Sequence, residues 1–534
     1  MVAHGLASSP VQTRPLRISN SADQAASATR KQQRSFIFSS LPDLGEYTRK
    51  MSPEVMEKYE VVIGLEVHVQ LSTRTKIFCS CPTSFGALPN TNVCPVCLGL
   101  PGALPVLSRG AVELGMKGST ALNCTVQAES VFARQNYFYP DSPKGYQISQ
   151  FDKPLALAGY LDVLVHGETK RVGITRVHME DDAGKSIHDG FKDSDRFTYV
   201  DLNRSGTPLI EIVSEPDIRS SDEAVEYLNE VKQAMQFAEV STCDMEKGHL
   251  RCDANVSMRR KGAEKFGTRA EVKNLNSFRF LKQAIEFEMV RQVEILESGG
   301  RVIQETRLFN PDLGETISMR SKEEAHDYRY FPEPDLIPLR ISAEWLAQVT
   351  ETMPELPQAR RARFASAYGL SEYDAQVLTV TREIADYFER AAKACGDPKQ
   401  AANWVMGDLA GMLKADDKEI AESPISAEHL GELIGLILKG ELSGKLAKDI
   451  FPKMYATGEA PGVIMEREGL KQISDSGALE KFVDEVLAAN PKQVEQYRAG
   501  KTTVIGFLVG QVMKLSRGQA NPGTVNALFA EKLK

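Results

Sequence analysis

The feature that most constrains this chain is the stretch at residues 61–71, where Val61, Ile63, Leu65, Val67, Val69 and Leu71 recur at every second position. Successive side chains of a β-strand point to opposite faces, so this run sends six apolar residues one way and Glu66, His68 and Gln70 the other. Such a strand belongs in an antiparallel sheet covered on one side only. The pattern returns at residues 251–259, where Cys252, Ala254, Val256 and Met258 share one face and Arg251, Asp253, Asn255, Ser257 and Arg259 share the other. Arg176, His178 and Glu180 also share a face, with Asp181 and Asp182 following, and Glu211 interrupts the apolar run at residues 209–213. A polar group inside an apolar strand needs a partner. Carboxylates with an imidazole are hard or borderline ligands that suit Mg²⁺. A magnesium–nucleotide centre of this kind stabilises charge on a transferring phosphoryl group. Taken singly, each of these acids reads first as a surface carboxylate; a surface reading is weaker for Glu66, His68 and Glu211, which interrupt apolar strands.

The strand-rich, Gly- and Pro-punctuated pattern runs from Tyr59 to about Pro338. After Pro357 Ala, Leu, Lys and Glu dominate, and apolar residues recur at helical spacing, as in Leu430, Leu433, Ile434, Ile437 and Leu438. This order predicts an α+β chain, with an antiparallel-sheet domain first and helical bundles after it. Residues 456–462, rich in Gly and Pro, are expected to join two bundles. A length of 534 residues suggests about three or four folding units. No run of 18 apolar residues is present, so no membrane span is expected. The formal charge of -8 argues against non-specific coating of nucleic acid. It leaves room for a local basic patch, for which Lys514 and Arg517 near the end are candidates. The first 40 residues carry Arg14, Arg17, Arg30, Lys31 and Arg34 with Asp23 as their one acid, and are rich in Ser and Ala. That composition reads as an organelle transit peptide or as a disordered tail.

Four of the eight cysteines are bunched as Cys79 and Cys81, then twelve residues, then Cys94 and Cys97. Two close thiol pairs suit structural, tetrahedral Zn²⁺; the alternative is four reduced structural thiols. Asp182-Ala-Gly-Lys185-Ser186 ends like a phosphate-binding loop, but Met179 stands where its first glycine belongs, so it is not one. Lys185 reads equally as a phosphate contact or a solvated lysine. The rings of Asn136-Tyr-Phe-Tyr-Pro-Asp141 and Tyr328-Arg-Tyr-Phe-Pro-Glu-Pro-Asp335 suit base stacking or plugging between loops and sheet.

Several of these motifs together resemble a known family. The strand bearing Glu66 and His68, Asn136-Tyr-Phe-Tyr-Pro-Asp141, Tyr146-Gln-Ile-Ser-Gln150 and His178-Met-Glu-Asp-Asp-Ala-Gly-Lys185 are similar to the B subunit of glutamyl-tRNA(Gln) amidotransferase, the GatB family. So are Pro208-Leu-Ile-Glu-Ile-Val-Ser-Glu-Pro-Asp217, Leu250-Arg-Cys-Asp-Ala-Asn255 and Glu271-Val-Lys-Asn-Leu-Asn-Ser277, and residues 506–522 resemble the family's YqeY-like tail. The resemblance covers residues 58–534. It implies a cradle domain with a zinc site at residues 58–353, an all-helical domain at 354–467 and a tRNA-binding tail at 468–534, behind a transit segment at 1–57. It implies a ligase that uses ATP and Mg²⁺ to phosphorylate the glutamate of Glu-tRNA(Gln). Ammonia would come from an amidase, the A subunit, with a small C subunit to brace the assembly. Glu66, His68, Asp181 and Glu211 fall on the family's catalytic and Mg²⁺ positions, with Glu180, Asp253 and Lys185 in support. Position 181 is Asp where other members can carry Glu. An organellar form, in mitochondrion, chloroplast or both, follows from adding the basic N-terminal segment. The competing readings are a zinc-stabilised tRNA chaperone without chemistry and a free-standing carboxylate–amine ligase.

Overall fold

The alternating run at residues 61–71 becomes the middle strand of a nine-stranded sheet. The computed structural model describes residues 52–321, 328–469, 476–516 and 520–533. Most of the expected transit segment therefore lies outside the described residues, as does Arg517. The strands of this sheet are β1 (Tyr59–Gln70), β2 (Thr125–Val126), β3 (Ala156–Val165), β4 (Glu168–Asp181), β5 (Pro208–Ser214), β6 (Leu250–Arg260), β7 (Ala270–Lys273), β8 (Glu305–Asn310) and β9 (Glu315–Ser321). They lie in the order β9-β8-β7-β6-β1-β5-β4-β3-β2. Every pairing is antiparallel except β7 with β8.

The apolar face of the sheet is covered by α1 (Arg109–Ala121), α2 (Ser221–Phe237) and α3 (Phe278–Glu297). Val61, Ile63, Leu65, Val67 and Val69 form one buried cluster with Tyr227, Leu228 and Val231 of α2 and Leu281 and Ile285 of α3. Burial of each such side chain contributes roughly 1.5–3 kcal/mol. Both long helices start at a serine whose hydroxyl accepts a backbone N–H from the first turn, from Glu223 to Ser220 and from Phe280 to Ser277. Helix α3 also makes the long crossover that the parallel β7–β8 pairing demands. The opposite, polar face carries no helix layer among the described residues. Strands Ala133–Asn136, Tyr146–Ser149 and Phe331–Pro332 form a small separate sheet whose residues wall a cavity over it.

The rest of the chain is helical, as the spacing predicts. Helices α4 (Pro357–Tyr368) and α5 (Arg382–Cys395) open a second apolar cluster that extends from Phe364 to Met465, and a third extends from Leu479 to Leu533. The arrangement is an antiparallel-dominated sheet domain followed by helical domains, the α+β order expected. Residues 456–462 do not separate two bundles. Gly458, at φ 73°, ends one helix and Pro461 begins the next, and both helices pack into the second cluster. Gly and Pro here are ordinary helix punctuation. Among the described residues no helix is long and apolar enough to cross a membrane.

Candidate active site and thiol cluster

The strand register decides which polar side chains meet. One row across the open face runs His178 on β4, Glu211 on β5, His68 on β1 and Arg251 on β6. The next row runs Arg176, Val213, Glu66 and Asp253. The polar members of these rows floor a cavity of about 870 Å³. Its walls include Tyr137, Tyr146, Phe151 and Tyr330. Phe151 stacks on Tyr330 with ring centroids 4.3 Å apart, and the Tyr330 hydroxyl donates to Gln135. Glu333, accepting from Arg134 Nε at 2.8 Å, pins the segment that carries Tyr330.

Three ligand-type atoms converge at the centre. His68 Nε2 lies 3.4 Å from Glu211 Oε2 and 3.5 Å from Glu180 Oε1. His178 Nε2 lies 3.1 Å from the same Glu211 oxygen. Burial disfavours charge on Glu211, but the two imidazoles outweigh it and hold the carboxyl well below its usual range. Burial also opposes charge on His68, yet Glu211 and Glu180 raise it to about 9. Glu180 is raised to about 7, mainly by burial and further by Glu211, against the pull of His68. One imidazole nitrogen and two carboxylate oxygens within 4.8 Å of one another form a donor set that suits a divalent cation.

Glu66 lines the same cavity one row away, where its Oε1 accepts from Asn255 Nδ2 at 2.8 Å. Its carboxyl is raised, first by burial and then by Glu211, Glu271 and Asp253. Asp253 is bound to Lys273 Nζ at 2.7 Å, and Glu271 lies 3.1 Å from the same nitrogen. Asp181 departs from the expected ligand set. It is next to Glu180 on β4 and also borders the cavity, but it pairs with Lys144 and accepts the Ile148 N–H at 2.8 Å instead of joining the imidazoles. Glu180 stands in the position that the resemblance gives to Asp181. Asp182 is taken by Arg251 at 2.9 Å and Arg204 at 3.3 Å. Lys185 is exposed on a short strand and does not line the cavity. Sequence reasoning puts His178 and Arg251 on the correct faces without assigning them roles. Lys144 comes from an irregular loop with no periodicity to announce it.

The four thiols of Cys79, Cys81, Cys94 and Cys97 come together outside this cavity, all sulfurs within 4.8 Å of one another. Tetrahedral zinc with 2.3 Å bonds places its sulfurs about 3.8 Å apart, and Cys94 and Cys97 already stand at 3.9 Å. Cys97 is drawn down to about 4 by a hydrogen bond from Cys79, against its burial, with the Lys76 charge also helping. Lys76 is fully buried, its Nζ 3.6 Å from Cys97 Sγ and 2.7 Å from Asn92 O. A buried cation beside a thiol cluster suits a site of net negative charge.

The match with known proteins spans both parts of this architecture. Residues 61–347 match the GatB/GatE catalytic domain and residues 386–533 match the GatB domain. The chain belongs to the GatB family. The B subunit of aspartyl/glutamyl-tRNA(Asn/Gln) amidotransferase from Carboxydothermus hydrogenoformans is 56% identical over 478 residues, covering 90% of this chain and 99% of the relative. The proteins of the same name from Geotalea daltonii and Geobacter sulfurreducens are each 56% identical over 476 residues, covering 89% of this chain and 99% of the relative. The GatB/GatE catalytic domain takes in the whole cavity and all four clustered thiols, and the GatB domain takes in the helical end.

Proposed function

We propose that this chain is the component of a tRNA-dependent amidotransferase that activates the glutamate of misacylated Glu-tRNA(Gln). The observation that carries the proposal is the convergence of His68, Glu180 and Glu211 on the floor of a cavity of about 870 Å³. That volume is in the range of small-molecule sites, and the donor set suits a metal–nucleotide centre. The relatives named above support the substrate class.

In the reaction a side-chain carboxylate oxygen attacks the γ-phosphorus of ATP, and the bond to ADP breaks. Ammonia then attacks the acyl carbon; the phosphate leaves, a proton is lost and the amide remains. A free carboxylate is a poor acyl donor, and phosphorylation supplies its leaving group. His68, Glu180 and Glu211 would hold Mg²⁺, which would supply charge neutralisation between carboxylate and triphosphate. His178 keeps the Glu211 carboxylate ionised and oriented. Asn255 orients Glu66, and Lys273 holds Asp253 and Glu271 at the far side. The stacked Phe151 and Tyr330 offer a platform for an adenine ring.

On this reading ammonia comes from an amidase partner, the A subunit, and the complex is completed by a small C subunit. The four thiols hold structural Zn²⁺. Residues 1–57 direct import into mitochondrion, chloroplast or both, and a fluorescent fusion of the first 60 residues would report which. The deciding experiment follows ATP cleavage and amide formation by the complete complex with and without Glu-tRNA(Gln). ATP cleavage that rises with Glu-tRNA(Gln) is expected. Binding of tRNA with no phosphorylated glutamate would instead make the chain a tRNA chaperone, and activity on free acids without the amidase would make it a free-standing ligase.

A further inference from the structure

Among the described residues, one cation on the cavity floor has no counterion. Lys144 is committed to Asp181, Arg251 to Asp182, and Lys273 to Asp253 and Glu271. Arg269 also lines the cavity, but its side chain is exposed and its charge is solvated. Arg176 is different. It stands on the open face of β4 two residues before His178, and it lines the cavity. Its Nε is buried with no hydrogen-bond partner, as is that of Arg251, but where Arg251 has Asp182 at 2.9 Å, no carboxylate among the described residues pairs with Arg176.

The register explains why Arg176 stays unpaired in so acidic a site. Val213 lies between it and Glu66 in the same row. Two strand spacings put the Arg176 and Glu66 backbones roughly 10 Å apart. Glu211, the next nearest acid by register, already accepts from His178 and His68. A guanidinium offers five donors in a planar fork matched to paired oxygens. Half-buried and unpaired, it is set for an anion that arrives from outside the protein.

We propose that Arg176 is a further catalytic residue, whose guanidinium grips the oxyanion of the reacting group and neutralises charge during phosphoryl transfer. The assignment rests on the phosphoryl-transfer reading above. Two oxyanions meet in that step: the γ-phosphoryl group of ATP and the carboxylate of the esterified glutamate. As the carboxylate oxygen bonds to phosphorus, the electron pair of the breaking P–O bond leaves with ADP, and Arg176 transfers no proton.

The test uses the complete complex carrying Arg176→Gln or Arg176→Lys, assayed with ATP, Glu-tRNA(Gln) and ammonium salt so that the amidase is bypassed. The Gln variant is expected to lose about 10²–10³-fold in kcat, the size of removing one preorganised oxyanion donor. The Lys variant is expected to recover part of it, with an unchanged thermal midpoint in both. A raised KM for ATP locates the contact on the phosphoryl group, and a raised KM for Glu-tRNA(Gln) on the carboxylate; either supports the assignment. Parent-like rates in both variants overturn it. Equal losses in both, accompanied by a lowered thermal midpoint, also overturn it, because they mark a structural arginine. A parent complex that never forms phosphorylated glutamate overturns the functional reading together with the assignment.

Discussion

Glu211 and Asp181 are both acids of the cavity, and their neighbours assign them opposite duties. Glu211 faces two imidazoles at 3.4 and 3.1 Å, whereas Asp181 faces a lysine and a backbone N–H. Replacing Glu211 with Gln keeps the shape and removes the charge that holds both imidazoles. Glu-tRNA-stimulated ATP cleavage should fall by about 10²-fold or more, as expected when a charge-stabilising group is lost. Replacing Asp181 with Asn leaves the Lys144 ammonium, only 8% exposed, without its counterion. Losing one member of a buried pair costs about 3 kcal/mol, so the thermal midpoint should drop sharply. If both substitutions gave the same kinetic defect with unchanged stability, the division of roles would be wrong. Which of two adjacent acids joins the imidazoles was not legible in the sequence. Glu180 and Asp181 sit at a strand end, and the choice depends on Lys144, 37 residues away in an irregular loop. The row of Glu66 and His68 was legible, because a period of two leaves a strand residue only two faces.

At the scale of elements, the thiol loop and the α4–α5 contact each give a prediction. If zinc ties Cys79, Cys81, Cys94 and Cys97, then a strong chelator or Cys97→Ser should lower the thermal midpoint, and metal analysis should return one zinc per chain. Metal-free protein of full stability would remove zinc from the account. In the helical part, Glu389 on α5 accepts from Arg363 at 2.5 Å and Tyr368 at 3.0 Å, and it also pairs with buried Arg360. Burial alone would raise its pKa, but Arg363, Arg360 and Tyr368 bring it below 4.5. A depressed carboxyl stabilises the fold fully above its unfolded value, and the contribution is lost as pH falls through the folded one. Glu389→Gln should therefore cost about 2 kcal/mol at neutral pH and progressively less in acid, measured by denaturant unfolding across that range. The thiol spacing announced its cluster in advance because ligand geometry constrains local sequence. The turn at residues 456–462 misled, because Gly458 and Pro461 carry the same chemistry whether a turn lies inside a bundle or between two.

Over the whole molecule, the helical part is fastened to the sheet domain through few polar contacts. Arg361 on α4 donates to Glu230 at 2.7 Å and to Gln233 at 2.5 Å, both on α2. Arg361→Ala leaves buried Glu230 without its cation, and calorimetry should then resolve an earlier transition for the helical part ahead of the sheet domain. A single unshifted transition would mean that the apolar contacts alone couple the two. The order of domains was legible from the change of hydrophobic period near Pro357. The register that assembles the site was not, since it joins strands far apart in sequence. That distance bears on how the protein is made. The central strand pairs Glu66 with Asp253 and His68 with Glu211, so its partners follow it by well over a hundred residues. At about 5–20 residues per second, β1 leaves the ribosome roughly 10–40 s before β6 exists to close its second edge. Until β5 is made, for roughly 7–29 s of that interval, one of the most apolar segments of the chain has two open edges. The geometry that builds the cavity thus also makes the newborn chain a client for chaperones, and its synthesis should be among the first casualties when they are scarce.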